Sequence, residues 1–257
     1  MTYLVICSVA LLASGLTFFS GFGLGTLLLP AFALFFPVEQ AVALTAVVHF
    51  LNGLFKLALV GRNASRAIVL RFGLPAVVAA FAGAGLLLLL ADVQPVRTYS
   101  AFGREMRITP VKIAIGALLL LFALVEVVPR LRDLTFGPRH LVLGGLLSGF
   151  FGGLAGLQGA LRSAFLARSG LSKESFIGTG VAIGCLIDFS RLGVYGASLA
   201  KAGDSLDYGL LAAAVLSAFA GAFLGNHYLK KLTMTAIQRL VAILLALVAA
   251  ALIAGLL

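Results

Sequence analysis

Long apolar runs and short polar segments alternate along the whole chain. Six runs are about as long as the roughly 20 residues that a helix needs to cross a hydrocarbon core. They cover residues 39–59, 72–91, 111–129, 175–196, 207–229 and 236–257. The pattern predicts an all-α, polytopic membrane protein.

Composition supports the same class. The 257 residues are 61% hydrophobic and 11% charged, with a mean hydropathy of +1.14. A soluble domain carries roughly 25% charged residues, so this chain has too little polar surface to face water on all sides. We expect an integral, multi-pass protein in a lipid bilayer.

Two further apolar stretches are interrupted by glycine. Residues 3–36 are too long for one helix and are broken by the run Ser20-Gly21-Phe22-Gly23-Leu24-Gly25. The piece that follows, 26–36, would rise only about 16 Å as a helix, half a bilayer. A second apolar run is broken at 152–159 and followed by the short segment 160–167. The pattern predicts two re-entrant or discontinuous helices.

The two broken segments belong to an internal repeat. A Ser-Gly-Phe triplet opens each break, at residues 20–22 and 148–150. A glutamate and a cation follow each break, and the members of each pair, Glu39 with Glu174 and Lys56 with Arg191, are 135 residues apart. Secondary transporters are commonly built from such repeats. We predict a first repeat at 1–129, a cytoplasmic linker at 130–139 and a second repeat at 140–257.

The distribution of Lys and Arg favours inverted repeats. If each broken segment enters and leaves on one face, the loops on one side hold eleven cations and those on the other hold five. If each broken segment crosses once, the count becomes seven against nine. The positive-inside rule prefers the first arrangement, which inverts the repeats and leaves both termini outside.

The loop at 92–110 does not fit this arrangement well, because it carries three arginines yet falls on the outer side. Thr109 and Pro110 are predicted as the N-cap and first residue of the next helix. The remainder of the loop is compatible with an amphipathic piece at the membrane interface.

Other function classes are disfavoured. The net charge of +10 is spread over short loops, as expected for orientation in a membrane, and a nucleic-acid partner is not expected. Cys7 and Cys185 lie inside apolar segments, so we expect no disulfide framework and no metal site. No cofactor is expected. No Walker-type nucleotide motif occurs in the sequence, which favours transport driven by ion gradients over ATP.

Three of the nineteen cations, Lys56, Arg162 and Arg191, lie in apolar segments. A charge at membrane depth costs at least about 2.5 kcal/mol. Arg162 follows the second break, beside the free N–H groups at the start of a half-helix, which predicts an anion site. Alternatively, the glycines at 152–159 let helices pack closely, and Lys56 and Arg191 snorkel towards an interface.

Polar side chains also line the spans after each break. His49, Asn52 and Lys56 are spaced i, i+3 and i+7, so they share one helix face. His49 is a candidate for proton coupling, because histidine is the side chain suited to a pH switch, or it is a structural histidine. Asp188 and Arg191, three residues apart, predict an ion pair that is either structural or a gate opened by substrate.

The order of these motifs resembles the sulfite exporter TauE/SafE family of membrane permeases over nearly the whole chain. The resemblance rests on Ser20-Gly21-Phe22-Gly23-Leu24-Gly25, Leu28-Leu29-Pro30, Ala43-Leu44-Thr45-Ala46, Ser148-Gly149-Phe150-Phe151-Gly152-Gly153-Leu154-Ala155-Gly156 and Gly170-Leu171-Ser172-Lys173-Glu174. It implies a carrier that exports a small sulfur-containing or organic anion, such as sulfite or a sulfonate, across a bacterial inner membrane. Leu24, Leu157 and Gln158 replace glycines common in the family, and the second half has Arg162 and Ser163 instead of a counterpart to Pro30.

The leading hypothesis is a secondary transporter that moves a small anion by alternating access. The predicted substrate-binding residues are Ser20, Gly21, Gly23, Gly25, Gly156, Gln158, Gly159, Arg162, Ser163, Lys56 and Arg191. The predicted coupling or gating residues are His49, Asn52 and Asp188, with protons and sodium as candidate coupling ions. A passive anion channel is the alternative. A membrane-embedded enzyme is disfavoured, because the spans lack a clustered set of catalytic groups.

Overall fold

The computed structural model describes residues 1–16, 24–101, 103–201, 207–228 and 234–257. The helices are α1 (Thr2–Leu16), α2 (Leu24–Ala33), α3 (Val38–Val60), α4 (Arg66–Ala91), α5 (Pro110–Val127), α6 (Pro129–Arg132), α7 (Leu141–Ala155), α8 (Gly159–Leu166), α9 (Lys173–Lys201), α10 (Tyr208–Tyr228) and α11 (Met234–Ile253). Single 3₁₀ turns lie at Gly61–Asn63 and Pro138–His140, and two short strands are β1 (Arg97–Ala101) and β2 (Arg104–Ile108). The described part of the chain is therefore helical apart from one hairpin.

Each of the six predicted spans is a helix. Five of them, α3, α4, α5, α9 and α10, are long and apolar enough to cross a membrane within the described ranges. This confirms an all-α membrane protein. α4 begins at Arg66, six residues before the predicted start, because the apolar residues 67–70 between Arg66 and Arg71 also belong to the helix. The two arginines interrupt the apolar pattern without ending the helix.

A glycine stripe holds α7 against α4. A Cβ atom placed on any of three stripe glycines would lie 2.1–2.2 Å from a backbone oxygen of α4. The pairs are Gly145 with Phe72, Gly149 with Ala76, and Gly153 with Ala80. The two backbones touch, as small residues spaced by four allow in membrane helices. Close packing therefore explains part of the second glycine-rich run.

The second break is narrower than predicted. α7 continues through Gly152 and Gly153 to Ala155, and only residues 156–158 interrupt the helical path to α8. Gly156 has φ 74°, a left-handed conformation that glycine adopts without steric cost. The N–H of Gly156 donates to the carbonyl of Gly152 (2.9 Å), and the N–H of Leu157 donates to that of Phe151 (3.3 Å). The bond from Gly156 to Gly152 and the left-handed Gly156 together form the αL motif that ends helices.

Both predicted short pieces are present as helices of less than a bilayer's length. α2 has 10 residues and includes Pro30, and α8 has 8 residues. The predicted first break falls largely at residues 17–23, so Ser20, Gly21 and Gly23 lie outside the described residues. Gly25 is the second residue of α2 and is buried.

The loop at 92–110 contains a β-hairpin, which its sequence pattern did not indicate. β1 and β2 pair antiparallel from Arg97 with Ile108 to Ala101 with Arg104, and Gly103 in the turn has φ 73°. The hydroxyl of Tyr99 donates to the carbonyl of Ala254 at 2.5 Å, which ties the hairpin to the end of α11. Side chains alternate between the bundle and solvent, so the polar residues need no helix to separate them from the apolar ones.

The predicted start of α5 is confirmed. Pro110 is its first residue, and the side chain of Thr109 accepts the N–H of Lys112 at 3.4 Å.

Candidate functional site

Asp188 is the centre of a buried polar network. Its side chain on α9 has no exposed surface, and its Oδ2 lies 2.5 Å from Nδ1 of His49 on α3. Its Oδ1 accepts hydrogen bonds from Nε2 of Gln158 (3.0 Å) and Nε of Arg191 (2.9 Å). We call His49, Gln158, Arg162, Asp188 and Arg191 the Asp188 network. It joins a helix of the first half to the break of the second half.

The second break positions Gln158. Once the left-handed Gly156 has ended α7, the chain turns inward, and the hydroxyl of Ser148 donates to the carbonyl of Gln158 at 3.1 Å. The side chain of Gln158 is fully buried. Its amide nitrogen donates a hydrogen bond to Asp188, and its Oε1 accepts a hydrogen bond from Nη1 of Arg162 at 2.9 Å. The amide thus links the carboxylate to the cation of the half-helix.

Arg162 occupies space left by two glycines of α9. The side chain is 7% exposed. A Cβ atom on Gly184 would lie 3.0 Å from Nη1 of Arg162, and one on Gly180 would lie 3.5 Å from its Nε. Any larger residue at position 184 would push against the guanidinium.

Arg191 has no exposed surface and forms the predicted ion pair with Asp188. Its Nη2 lies 2.8 Å from Oδ1, the same oxygen that accepts Nε. Its Nη1 is buried and has no hydrogen-bond acceptor within the described part of the chain. A Cβ atom on Gly156 would lie 2.8 Å from this nitrogen. One donor of the guanidinium therefore faces the break.

Lys56 adds a third buried cation. It is 8% exposed and close enough to Arg162 for the two charges to repel. Neither Lys56 nor Arg191 extends to an exposed position, so snorkelling does not describe either side chain. Three buried cations are thus close to one another: Lys56 lies near Arg162, and Arg162 and Arg191 both lie near the carboxylate of Asp188.

Two other predicted residues, Gly25 and Gly159, also lie close to the network. A Cβ atom on Gly25 would lie 3.1 Å from the carbonyl oxygen of Gly156 and 3.8 Å from Cδ2 of His49, so the start of α2 meets the second break. Gly159, the first residue of α8, is buried. Asn52 has a different partner, because its Oδ1 accepts the hydroxyl of Ser14 on α1 at 3.2 Å.

Ser163 lies apart from the network. It is half-buried and lines a second cavity on the other side of α8. Successive helical residues are about 100° apart, so Arg162 and Ser163 point in different directions.

Sequence reasoning missed several supporting residues. Gly180 and Gly184 are spaced by four and lie on the α9 face of Asp188, a pattern that would have indicated room for a large neighbour. Ser14 carries no comparable signal, because a lone serine in an apolar helix is common, whereas Ser148 stood out only as the first residue of the second Ser-Gly-Phe triplet. Their partners are set only by packing.

The comparison with protein families decides the class. Residues 6–252 match the family model described as Sulfite exporter TauE/SafE. The chain belongs to this family. No curated protein and no solved structure matches it. TauE/SafE proteins are membrane transporters and not enzymes, which agrees with the apolar helices described above.

Proposed function

We propose that this TauE/SafE protein is a secondary transporter that exports a small anion across a bacterial inner membrane by alternating access. Sulfite, a sulfonate and other small organic anions are the candidate substrates. The observation that carries the proposal is a set of buried cations: Arg162 and Arg191 lie close to Asp188, and Lys56 lies close to Arg162. Because buried charge is costly in a membrane, such a set is expected where an anion passes.

The contacts available to the anion follow from the geometry. Nη1 of Arg191 is a buried donor beside Gly156, and Arg162 is part of the half-helix that begins at Gly159. Free N–H groups at the start of α8 add donors and a positive dipole end. Gly25 and Gly156 have no Cβ atom, so backbone can approach the ligand closely. Lys56 attracts the anion without a required contact.

Alternating access is proposed to use two inverted repeats, 1–129 and 140–257. The contact between the start of α2 and the second break supports a single central site shared by the halves. Inverted repeats allow one half to rock against the other around such a site.

His49 and Asp188 are proposed as the coupling pair, with the proton as the coupling ion. Their 2.5 Å contact joins α3 to α9, so the charge on His49 acts on the contact between the two halves. Asp188 also faces Arg191 and Gln158, and Lys56 and Arg162 lie beyond them. Histidine titrates close to physiological pH, which suits a cycle of proton binding and release.

The test is the efflux of labelled sulfite or a labelled sulfonate from loaded proteoliposomes. We expect saturable flux that responds to a pH gradient, and a loss of at least about ten-fold in Arg162→Ala, equivalent to about 1.4 kcal/mol. Arg168→Ala is the matched control, because Arg168 is exposed just after the same half-helix. Intact flux in Arg162→Ala would contradict the proposal. Non-saturating flux would favour a passive channel, and a response to sodium alone would replace the proton.

A further inference from the structure

Thr45 is a buried polar residue of α3 that has no role in the anion site described above. It belongs to the sequence Ala43-Leu44-Thr45-Ala46 and is 1% exposed. Its Oγ1 has no hydrogen-bond partner within the described part of the chain, not even the carbonyl four residues earlier that helical threonines often contact. Native proteins pair nearly all buried polar atoms with protein groups, water or a ligand. The hydroxyl therefore points to a partner that the described residues do not supply.

Thr45 lies where the start of α2 meets the second break. A Cβ atom placed on Gly25 would lie 3.7 Å from Cγ2 of Thr45, 3.8 Å from Cδ2 of His49 and 3.1 Å from the carbonyl oxygen of Gly156. Thr45 and His49 are four residues apart on α3, so they lie on the same face of that helix. Because Oγ1 and Cγ2 of Thr45 are attached to the same carbon, the hydroxyl is also close to the contact between the two glycines.

A second unpaired donor reaches the same place from α9. Nη1 of Arg191 is buried without an acceptor among the described residues, and it lies 2.8 Å from the position of a Cβ atom on Gly156. Thr45 and Arg191 thus approach the contact of Gly25 with Gly156 from two different helices. An oxyanion has several acceptor oxygens, so one bound at this contact pairs both donors.

The charges nearby favour an anion over a cation at this contact. Arg162 and Arg191 are both buried close to the single carboxylate of Asp188, so one positive charge is in excess among these three groups. A metal ion or an ammonium group would be repelled by that excess, whereas an anion is attracted. The hydroxyl of Thr45 therefore acts as a hydrogen-bond donor to the ligand.

We propose that Thr45 is a substrate-contact residue, whose hydroxyl donates a hydrogen bond to one oxygen of the bound anion while Nη1 of Arg191 donates to another. The inference rests on the proposed anion transport and specifies where in the site the anion lies. It also narrows the substrate class to anions with at least two acceptor oxygens, such as sulfite, sulfonates and carboxylates. A site built to hydrogen-bond a substrate group discriminates against anions that lack this group.

The test compares anion binding by the full-length wild type, Thr45→Val and Thr45→Ser in a nonionic detergent. Sulfite, methanesulfonate and acetate are each titrated into the wild type, and the one that binds most tightly is used with the variants. Valine has the shape of threonine without the hydroxyl, so we expect about ten-fold weaker binding, equivalent to about 1.4 kcal/mol. Serine keeps the hydroxyl and should retain most of the affinity. The thermal midpoint without anion should be unchanged or higher in Thr45→Val, because an unpaired buried hydroxyl is removed.

Thr179→Val is the matched control. Thr179 on α9 is also fully buried, and its Oγ1 accepts the backbone N–H of Ser65 at 2.9 Å. Removal of this hydroxyl leaves the N–H without its partner, so we expect a lower thermal midpoint and unchanged anion affinity. The control thus separates the loss of a structural hydroxyl from the loss of a substrate contact.

Wild-type affinity in Thr45→Val would overturn the inference, and so would equal losses in Thr45→Val and Thr45→Ser. A lower midpoint without anion, together with unchanged affinity, would assign the hydroxyl to folding. If the wild type binds none of the three anions, the proposed transport is wrong as well. Binding that Arg162→Ala weakens and Thr45→Val does not would contradict this inference alone. If Thr45→Val does not fold, Thr45→Ala takes its place with the same expected loss of affinity.

Discussion

In the proposed repeat α3 and α9 correspond to each other, and their polar residues differ in an instructive way. The shift of 135 residues that aligns Lys56 with Arg191 also aligns Gly53 with Asp188 and His49 with Gly184. In the last two of these pairs, one helix carries a polar group and the other carries a glycine.

The difference has a steric and an electrostatic side. Gly184 leaves room for Arg162, and Gly53 packs against Cys185, whose Sγ would lie 2.9 Å from an added Cβ. α3 has glycine where α9 has Asp188, and this single aspartate contacts His49 of the first half and Arg191 of the second. Two related helices therefore build one asymmetric site at their contact and not two copies of a site.

Among the variants considered, Asp188→Asn should have the largest effect on stability and on anion flux. It removes the carboxylate from a buried ion pair and leaves Arg191 charged, which costs about 3–5 kcal/mol in such pairs. We expect a much lower thermal midpoint in detergent and loss of anion flux. Gly53→Ala at the corresponding position is the control, and only the sulfur of Cys185 has to move there. Equal losses in both variants would contradict the comparison.

The two corresponding cations should respond unequally when they are exchanged. Arg191→Lys loses the Nε hydrogen bond and the fork that contacts Asp188, and hydrogen bonds to charged groups contribute about 1.5–3 kcal/mol. We expect flux at saturating anion to fall by about ten-fold or more, while Lys56→Arg keeps most of it. Flux assays on matched proteoliposomes measure both. A greater loss in Lys56→Arg would show that the first-half cation is the one in contact with substrate.

Gly156→Ala tests whether the second break needs its particular backbone. A residue with a Cβ atom at φ 74° costs about 1–2 kcal/mol, and the added atom would meet Nη1 of Arg191 at 2.8 Å. We expect a lower thermal midpoint and weaker anion binding. Gly193→Ala, on α9 with open space around it, should be neutral or slightly stabilising. The idea fails if the two substitutions behave alike.

The smallest effect concerns the helix starts outside the membrane. Ser65 makes no side-chain cap at the start of α4, whereas Oδ1 of Asp207 accepts the N–H of Leu210 at 2.8 Å before α10. This bond and the hydroxyl of Tyr3 lower the pKa of Asp207. Its contribution to stability is therefore complete above about pH 4, the usual aspartate pKa, and is lost as pH falls through the lowered value.

Thermal midpoints across the acid range measure this contribution. Asp207→Asn keeps the cap and removes the titration, so we expect a flatter pH dependence than in the wild type. An unchanged slope would assign the acid sensitivity to other groups.

Much of the fold was accessible from the apolar pattern, because a bilayer imposes a length and a polarity on every span. The six spans, the short pieces α2 and α8 and the cap at Thr109 follow from that constraint. The extent of the second break could not be predicted from that constraint. Gly152 and Gly153 belong to α7, and Gly153 packs against α4, whereas Gly156 ends the helix. Glycine in a sequence marks either close packing or a turn, and only the neighbouring helix distinguishes them.

The candidate site divides in the same way. Lys56, Arg162, Arg191, His49 and Asp188 stood out because charge and polarity are rare in membrane segments. Their connections were not visible, apart from the pair three residues apart on α9. Ser163 shows that sequence adjacency does not place two side chains in one site. It follows Arg162 directly, yet it lines a cavity rich in phenylalanine on the other side of α8.

The sequence by itself determined the membrane environment, the approximate helix lengths and the residues able to carry charge, because these are local properties of composition and spacing. The tertiary structure decided which of those residues meet. His49 and Gln158 reach Asp188 from positions 139 and 30 residues away, and glycines allow the helices to come close enough for contact. The free energy of burying a charge depends on its partners in space, and chain order does not specify those partners.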